Sequence, residues 1–246
     1  LTAMQKRYGE VYAAWLDPAM SYSSARFDSG GEGLEAAQQR KIETIAARLD
    51  GAKSLLEIGC GWGSLARHFA GSGVQVTAIS LSGEQLAWAR QQHGAAAIDF
   101  RKQDYRDVSG QFDAIASVEM VEAVGRAYWP AFFDCIARNL KPGGRAAIQF
   151  IAIRDELFDA YARGADFIQT YIFPGGMLPS PERLKEETER AGMRFAVDQM
   201  FGLSYARTLD EWKTAFEMAW DRIKGGKFDE QFRRLGGVSV RGSRSV

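Results

Sequence analysis

The chain has 246 residues, 46% of them hydrophobic and 25% charged. Against a typical domain of about 150 residues that is room for one large domain or two small ones, and too apolar a composition for a disordered chain. Lys+Arg 31 balances Asp+Glu 31 for a net charge of +0, so nucleic acid is not an expected partner. No apolar run approaches the ~18 residues of a membrane span, and no signal peptide is legible. Two cysteines, Cys60 and Cys135, exclude a disulfide framework and a thiolate metal cluster, and the carboxylates and histidines show no ligand spacing. The expectation is a cytoplasmic protein without a metal site.

Along the chain, Leu34, Ala37, Lys41 and Ile45, with Ile42, Ala46 and Leu49, share one helical face. Ser54 to Ile58 is a short apolar run ending in glycines and predicts a buried strand; Leu65, Phe69 and Ala70 predict a helix closed by Gly71 and Gly73. Val74 to Ser80 is rich in β-branched residues and predicts a second strand. A helix opens at Ser82, a strand covers Phe112 to Val118, and Trp129, Phe132, Phe133, Ile136 and Leu140 mark another helix. Lys141-Pro142-Gly143-Gly144 then turns into a strand from Arg145 to Ile153. From about 154 to 181 the rhythm breaks into aromatics and glycines, among them Tyr161, Phe167, Tyr171 and Phe173, which reads as a lid or insertion. A helix near Glu182 to Ala191, a strand near Phe195 to Met200 and a helix through Trp212, Phe216, Ala219 and Trp220 complete the series. Alternating strands and helices predict an α/β fold with a parallel sheet covered on both faces and a ligand beyond the strands' carboxyl ends.

Glu57-Ile58-Gly59-Cys60-Gly61-Trp62-Gly63 follows the first strand. Its G-x-G-x-G spacing behind an acid differs from the dinucleotide fingerprint and suits an adenosyl amino acid, with Glu57 orienting the loop and the ligand's ammonium. Ser82-x-x-Gln85 is a capping box, and a ribose-binding role for Gln85 competes with the cap. Asp104 and Tyr105, after the expected third strand, suit an adenine equally as well as a capped turn.

These motifs, with Trp15 to Ser24, Val118 to Gly125, Tyr171 to Ser180 and Tyr205 to Trp212, resemble the cyclopropane-fatty-acyl-phospholipid and mycolic acid cyclopropane synthases, S-adenosylmethionine-dependent methyltransferases. The resemblance runs from about Tyr8 to Phe232. It implies a Rossmann-like class I methyltransferase domain over 1–246, with 1–50 as a helical cover and 154–181 as the lid. It implies donor contacts from Tyr22, Ser23, Gly59, Gly61, Gly63, Ser80, Gln85, Tyr105 and Val118, beside Glu57 and Asp104. It places Glu122 and Tyr205 at a bicarbonate ion that accepts the proton lost on ring closure.

Ser24, Ala123 and Gln149 depart from the pattern, standing where the family has cysteine, histidine and histidine. Gln149 and the backbone N–H of Ile151 remain as donors for an anion. Methyl transfer is expected intact, with either a ring or a branched chain as product. The implied substrate is an unsaturated acyl phospholipid met at the inner membrane surface. The runner-up is an amine N-methyltransferase of the same architecture, which needs a short polar pocket in place of an apolar tunnel.

Overall fold

The computed structural model of the chain describes residues 9–28, 30–94, 97–164, 175–225, 230 and 233. Phe167, Tyr171 and Phe173 of the expected lid, and residues 234–246, lie outside the described residues. The elements in order are α1 (Leu34–Arg48), β1 (Ser54–Ile58), α2 (Ser64–Gly71), β2 (Gln75–Ser80), α3 (Gly83–His93), β3 (Ile98–Lys102), β4 (Phe112–Val118) and the single turn α4 (Val121–Val124). Then come α5 (Trp129–Asn139), β5 (Leu140–Gln149), α6 (Asp155–Arg163), α7 (Pro181–Arg190) and α8 (Gly202–Ile223).

The strands pair in parallel in the order β3-β2-β1-β4-β5. Period-two alternation sorts each strand between two cores. Leu55, Val76, Ala78, Ala114 and Ala116 pack with Ile42, Ile45, Leu65, Phe69, Leu86 and Ala89 of α1, α2 and α3. Leu56, Ile58, Ile79 and Ile115 pack on the opposite face with Phe132, Phe133 and Ile136 of α5, Phe158 of α6 and Leu184 of α7. The expected doubly covered α/β sheet is therefore present. The order reverses at β1, between β2 and β4, so the crevice of this sheet opens beyond Ile58 and Val118.

Three expected boundaries move. The fifth strand ends at Gln149 rather than Ile153. It takes in Lys141 to Gly144, with an irregularity opposite Phe112 and Ala114. No strand forms over 195–200: Val197 is 52% and Met200 76% exposed, and Asp198 is tied to Arg48 instead. Alternation alone does not make a strand when no neighbour supplies a ladder. The last helix starts at Gly202, well before the first of its predicted aromatics, and so carries Tyr205 on helix.

Candidate active site

A cavity of about 210 Å³ opens at the carboxyl ends of β1 and β4. One wall is the loop after β1. Gly59, Gly61 and Gly63 all have positive φ, at 81°, 51° and 88°. A Cβ on Gly59 would lie 2.6 Å from Met120 Sδ, and one on Gly61 would lie 3.1 Å from the Tyr22 ring. The loop is pinned to β2 because the N–H groups of Gly59 and Cys60 both donate to the Ile79 carbonyl at 3.0 Å.

Alternation along β1 turns Glu57 to the same face as Leu55, where it is 4% exposed. Burial pushes its carboxyl up to about 8, against the pull of the Ala66 N–H, and Oε2 has no hydrogen-bond partner. A buried carboxylate oxygen without a donor, in a cradle that Cβ atoms would fill, fits a cationic ligand head.

The second wall is a strap over residues 17–27. Asp17 accepts from the N–H groups of Ala19 (2.9 Å) and Ser21 (3.0 Å), a turn that holds Met20 at φ 56°. The strap is fastened from α1 by Gln38 Nε2 on the Ser23 carbonyl (2.9 Å). From α8, Thr208 Oγ1 accepts from Ala25 N–H and Ser204 Oγ from Phe27 N–H, both at 3.0 Å. Tyr22 and Ser23 thereby line the cavity. The Tyr22 hydroxyl accepts from Gln85 Nε2 at 3.1 Å, and Ser80 Oγ donates to Gln85 Oε1 at 3.4 Å. Ser82 Oγ caps α3 through the Gln85 N–H (3.2 Å) while the Gln85 side chain turns to Tyr22, so only half of the capping box forms.

Asp104 caps the short turn Tyr105–Asp107, taking the Arg106 N–H at 2.9 Å and its guanidinium at 2.8 Å. Tyr105 is 7% exposed with its ring edge-on to Phe132 at 5.6 Å. Neither lines this cavity, nor do Ser80 and Gln85; Val118, Glu122, Ile151 and Tyr205 do, as does Ala123.

Of the third wall, the sequence singles out Ser24 and Gln149 but gives Glu119 and Lys41 no role. Glu119, just past β4, has φ 49°; Met20 and Glu119 are the two non-glycine residues with positive φ among those described, and both line the cavity. Glu119 Oε1 accepts from the Ser24 N–H at 2.7 Å and from Gln149 Nε2 at 3.0 Å. Gln149 Nε2 also donates to the Ser24 carbonyl at 3.1 Å. Lys41, 4% exposed on α1, donates to Ser23 Oγ at 2.7 Å. Burial pushes its amine down to about 8, against the attraction of Glu119 and Asp17. A lysine among Ala37 and Ile45 on an apolar helical face is the sequence signal that could have found Lys41.

Glu122 Oε1 accepts the Ile151 N–H, and its buried Oε2 has no partner. Burial first, and then the charge of Glu119, lifts its carboxyl to about 8. Two of the donors expected at a bicarbonate are thus engaged within the chain: the Ile151 N–H on Glu122, and both amide hydrogens of Gln149 on Ser24 and Glu119. An anion there would also meet the negative charge of Glu119. The Gln149 and Ile151 donors, bound as they are, do not fit that ion.

The family model described as mycolic acid cyclopropane synthetase matches residues 3–245. The chain belongs to that family. It is 38% identical over 240 residues to tuberculostearic acid methyltransferase UfaA1 of Mycobacterium tuberculosis, covering 92% of this chain and 56% of the relative. It is 34% identical over 231 residues to the cyclopropane-fatty-acyl-phospholipid synthase of Escherichia coli, covering 92% and 58%. The chain spans a little over half the length of these curated relatives. Among solved structures, the cyclopropane synthase MmaA2 from M. tuberculosis superposes with TM-score 0.85 at 26% identity, over 96% of this chain and 89% of that one. Mycolic acid cyclopropane synthase CmaA1, complexed with SAH and CTAB, gives TM-score 0.81 at 25% identity, over 98% and 91%. The family uses S-adenosylmethionine, and the sheet is that of the class I methyltransferases. Coclaurine N-methyltransferase, at 20% identity and TM-score 0.69, shares the fold alone.

Proposed function

We propose that the chain is an S-adenosylmethionine-dependent methyltransferase that adds the donor's methyl carbon to the double bond of an unsaturated acyl chain of a phospholipid. One observation carries the reading: the glycine cradle with its unpartnered Glu57 oxygen opens into the same cavity as Glu119, Glu122 and Tyr205. Donor and acceptor ends are therefore joined, as transfer between bound reactants requires.

The donor supplies an electrophilic methyl carbon on a sulfonium. Glu57 is the partner for its ammonium, Gly59 and Gly61 let the backbone approach it, and Tyr22 closes over it, held by Gln85. Ser23, fixed by Lys41, lies beside it. Burial by itself keeps Glu57 protonated in the cavity, and a cationic head beside it favours its charged form, so the site suits a ligand carrying positive charge. An alkene is a weak nucleophile, so the protein's work is placement and the exclusion of water. Met20, Ile42, Ile45, Leu65, Met177 and Leu178 give the apolar lining that an acyl chain needs. Tyr22, Trp62, Tyr161 and Tyr205 bring aromatic rings to the same cavity, where a cation on the chain gains from π faces.

Relatives at 33% to 38% identity carry fatty-acid and phospholipid names, so the amine reading is not favoured. We infer that the substrate is met at the cytoplasmic face of a bilayer. Supporting this, no helix of the described residues is long and apolar enough to cross a membrane, both cysteines are free, and Met200 and Leu203 stand 76% and 90% exposed within five residues of Tyr205. The test is incubation with methyl-labelled donor and vesicles of a cis-unsaturated phosphatidylethanolamine, followed by mass spectrometry of the acyl chains. Label in the acyl chain is the expected result; label only in the headgroup amine, or none in lipid, overturns the reading.

A further inference from the structure

The two acids after β4 divide their environments unequally. Burial raises the Glu119 carboxyl, but the Lys41 ammonium, the Ser24 N–H and the Gln149 amide all pull the other way and favour its charged form. Glu122 has one N–H donor, a buried oxygen without a partner, and Glu119 itself as a like charge. When a pair is set apart in this way, one member is ionised and the other neutral. Glu119 lines the cavity, and its hydrogen bonds to Ser24 and Gln149 both end on Oε1, so among the described residues Oε2 keeps its lone pairs for an acceptor role. Its left-handed backbone, disfavoured for a side chain with a Cβ, is the kind of local strain that persists where the surroundings over-determine a position.

We propose, on the reading that the chain methylates an alkene, that the Glu119 carboxylate is the base that takes the proton from the methylated acyl cation through Oε2, with no exogenous anion. In that step the alkene π pair forms the bond to the methyl carbon as the carbon–sulfur bond breaks toward sulfur, leaving the positive charge on the adjacent chain carbon. Glu119 then removes a proton either from the new methyl, two bonds from the cationic carbon, or from a chain carbon directly beside it. The released C–H pair closes a ring if the proton leaves the new methyl, or forms a double bond if it leaves the chain, and Glu119 becomes a neutral acid. No oxidant or reductant is consumed. Gln149 and Ser24 are positioning residues: they hold Oε1 and so aim Oε2.

The test compares the wild type with Glu119→Gln and Glu119→Ala in buffer stripped of bicarbonate under argon, reading labelled lipid and, separately, donor affinity by calorimetry. The wild type is expected to keep its full rate without bicarbonate. Glu119→Gln should lose roughly a hundredfold or more in kcat while donor Kd stays within about threefold. Glu119→Ala should regain rate on addition of formate or bicarbonate, which fill the vacated space. A wild-type rate that collapses on stripping and returns with bicarbonate overturns the proposal, as does a Glu119→Gln protein with near-normal kcat. If either variant fails to fold, the wild-type stripping experiment still decides. A wild type that labels no lipid under any condition refutes the methyltransferase reading instead, so the two failures are distinguishable.

Discussion

The turn after β1 and the turn after β4 leave adjacent parallel strands at the same end of one sheet, yet they are built by opposite means. The first is backbone. Three glycines with positive φ clear a surface on which a ligand can lie, and the single functional side chain, Glu57, comes from the strand itself. The second is side chain. Glu119, Gln149, Ser24, Lys41 and Glu122 come from four separate stretches of chain and are fixed by hydrogen bonds and charge. A backbone cradle tolerates little change and is insensitive to pH. A side-chain network tolerates substitution that preserves its bonds and is set by protonation.

The contrast can be broken first at Gly59. Gly59→Ala combines a disfavoured φ with a 2.6 Å approach to Met120 Sδ. Donor affinity should fall about 100-fold or more, roughly 2.8 kcal/mol, as read by calorimetric titration; a fall under threefold would mean the loop is not the donor cradle. Glu57→Gln comes next. It removes the proposed partner of the donor's ammonium, for a loss of about ten- to a hundredfold in affinity. Because the carboxylate is desolvated, melting temperature should hold or rise at pH 8.

The pH dependence of stability sharpens the same point. Glu57 and Glu122 sit near 8 in the folded chain against 4.5 for an ordinary carboxyl, so between those values the folded state binds protons that the unfolded state has lost. Their contribution is fully present below about 4.5 and is lost as pH rises through 8. Lys41, lowered from 10.5 to about 8, acts with the opposite sign above that. The melting temperature of the ligand-free protein should therefore fall from pH 5 to 8, and Glu57→Gln should flatten the slope. A melting temperature that climbs over that range would contradict the buried, neutral acids.

Gln85→Ala is the smallest change: it removes the hydrogen bond to Tyr22 at the rim, worth about 1 kcal/mol, so donor Kd should weaken by roughly fivefold with kcat nearly unchanged. A large kcat effect would assign Tyr22 more than a covering role.

Much of the sheet was legible because both its signals are local. Ser54 to Ile58 and Phe112 to Val118 are apolar runs bounded by turn residues, and both appear as strands with those ends. Phe195 to Met200 carried a comparable pattern and formed no strand, since pairing depends on a neighbour that the sequence pattern does not reveal. The glycine loop was legible for the same local reason: spacing dictates backbone conformation directly. Glu119 was read only as part of a motif. Its importance arises from meeting Ser24, 95 residues earlier, and Gln149, 30 residues later. Gln149 was expected to offer its amide to an anion, and the fold gives both amide hydrogens to the chain.

By itself the sequence determined the α/β sheet, the glycine cradle, the family and the acid behind the loop, because periodicity, φ preference and contiguous motifs act over a few residues. Only the tertiary structure decided which acids face one another, which oxygens are left unpartnered and which donors are already engaged. Those properties depend on burial and on distances between segments far apart in the chain, and burial is what shifts the protonation of Glu57, Glu122 and Lys41.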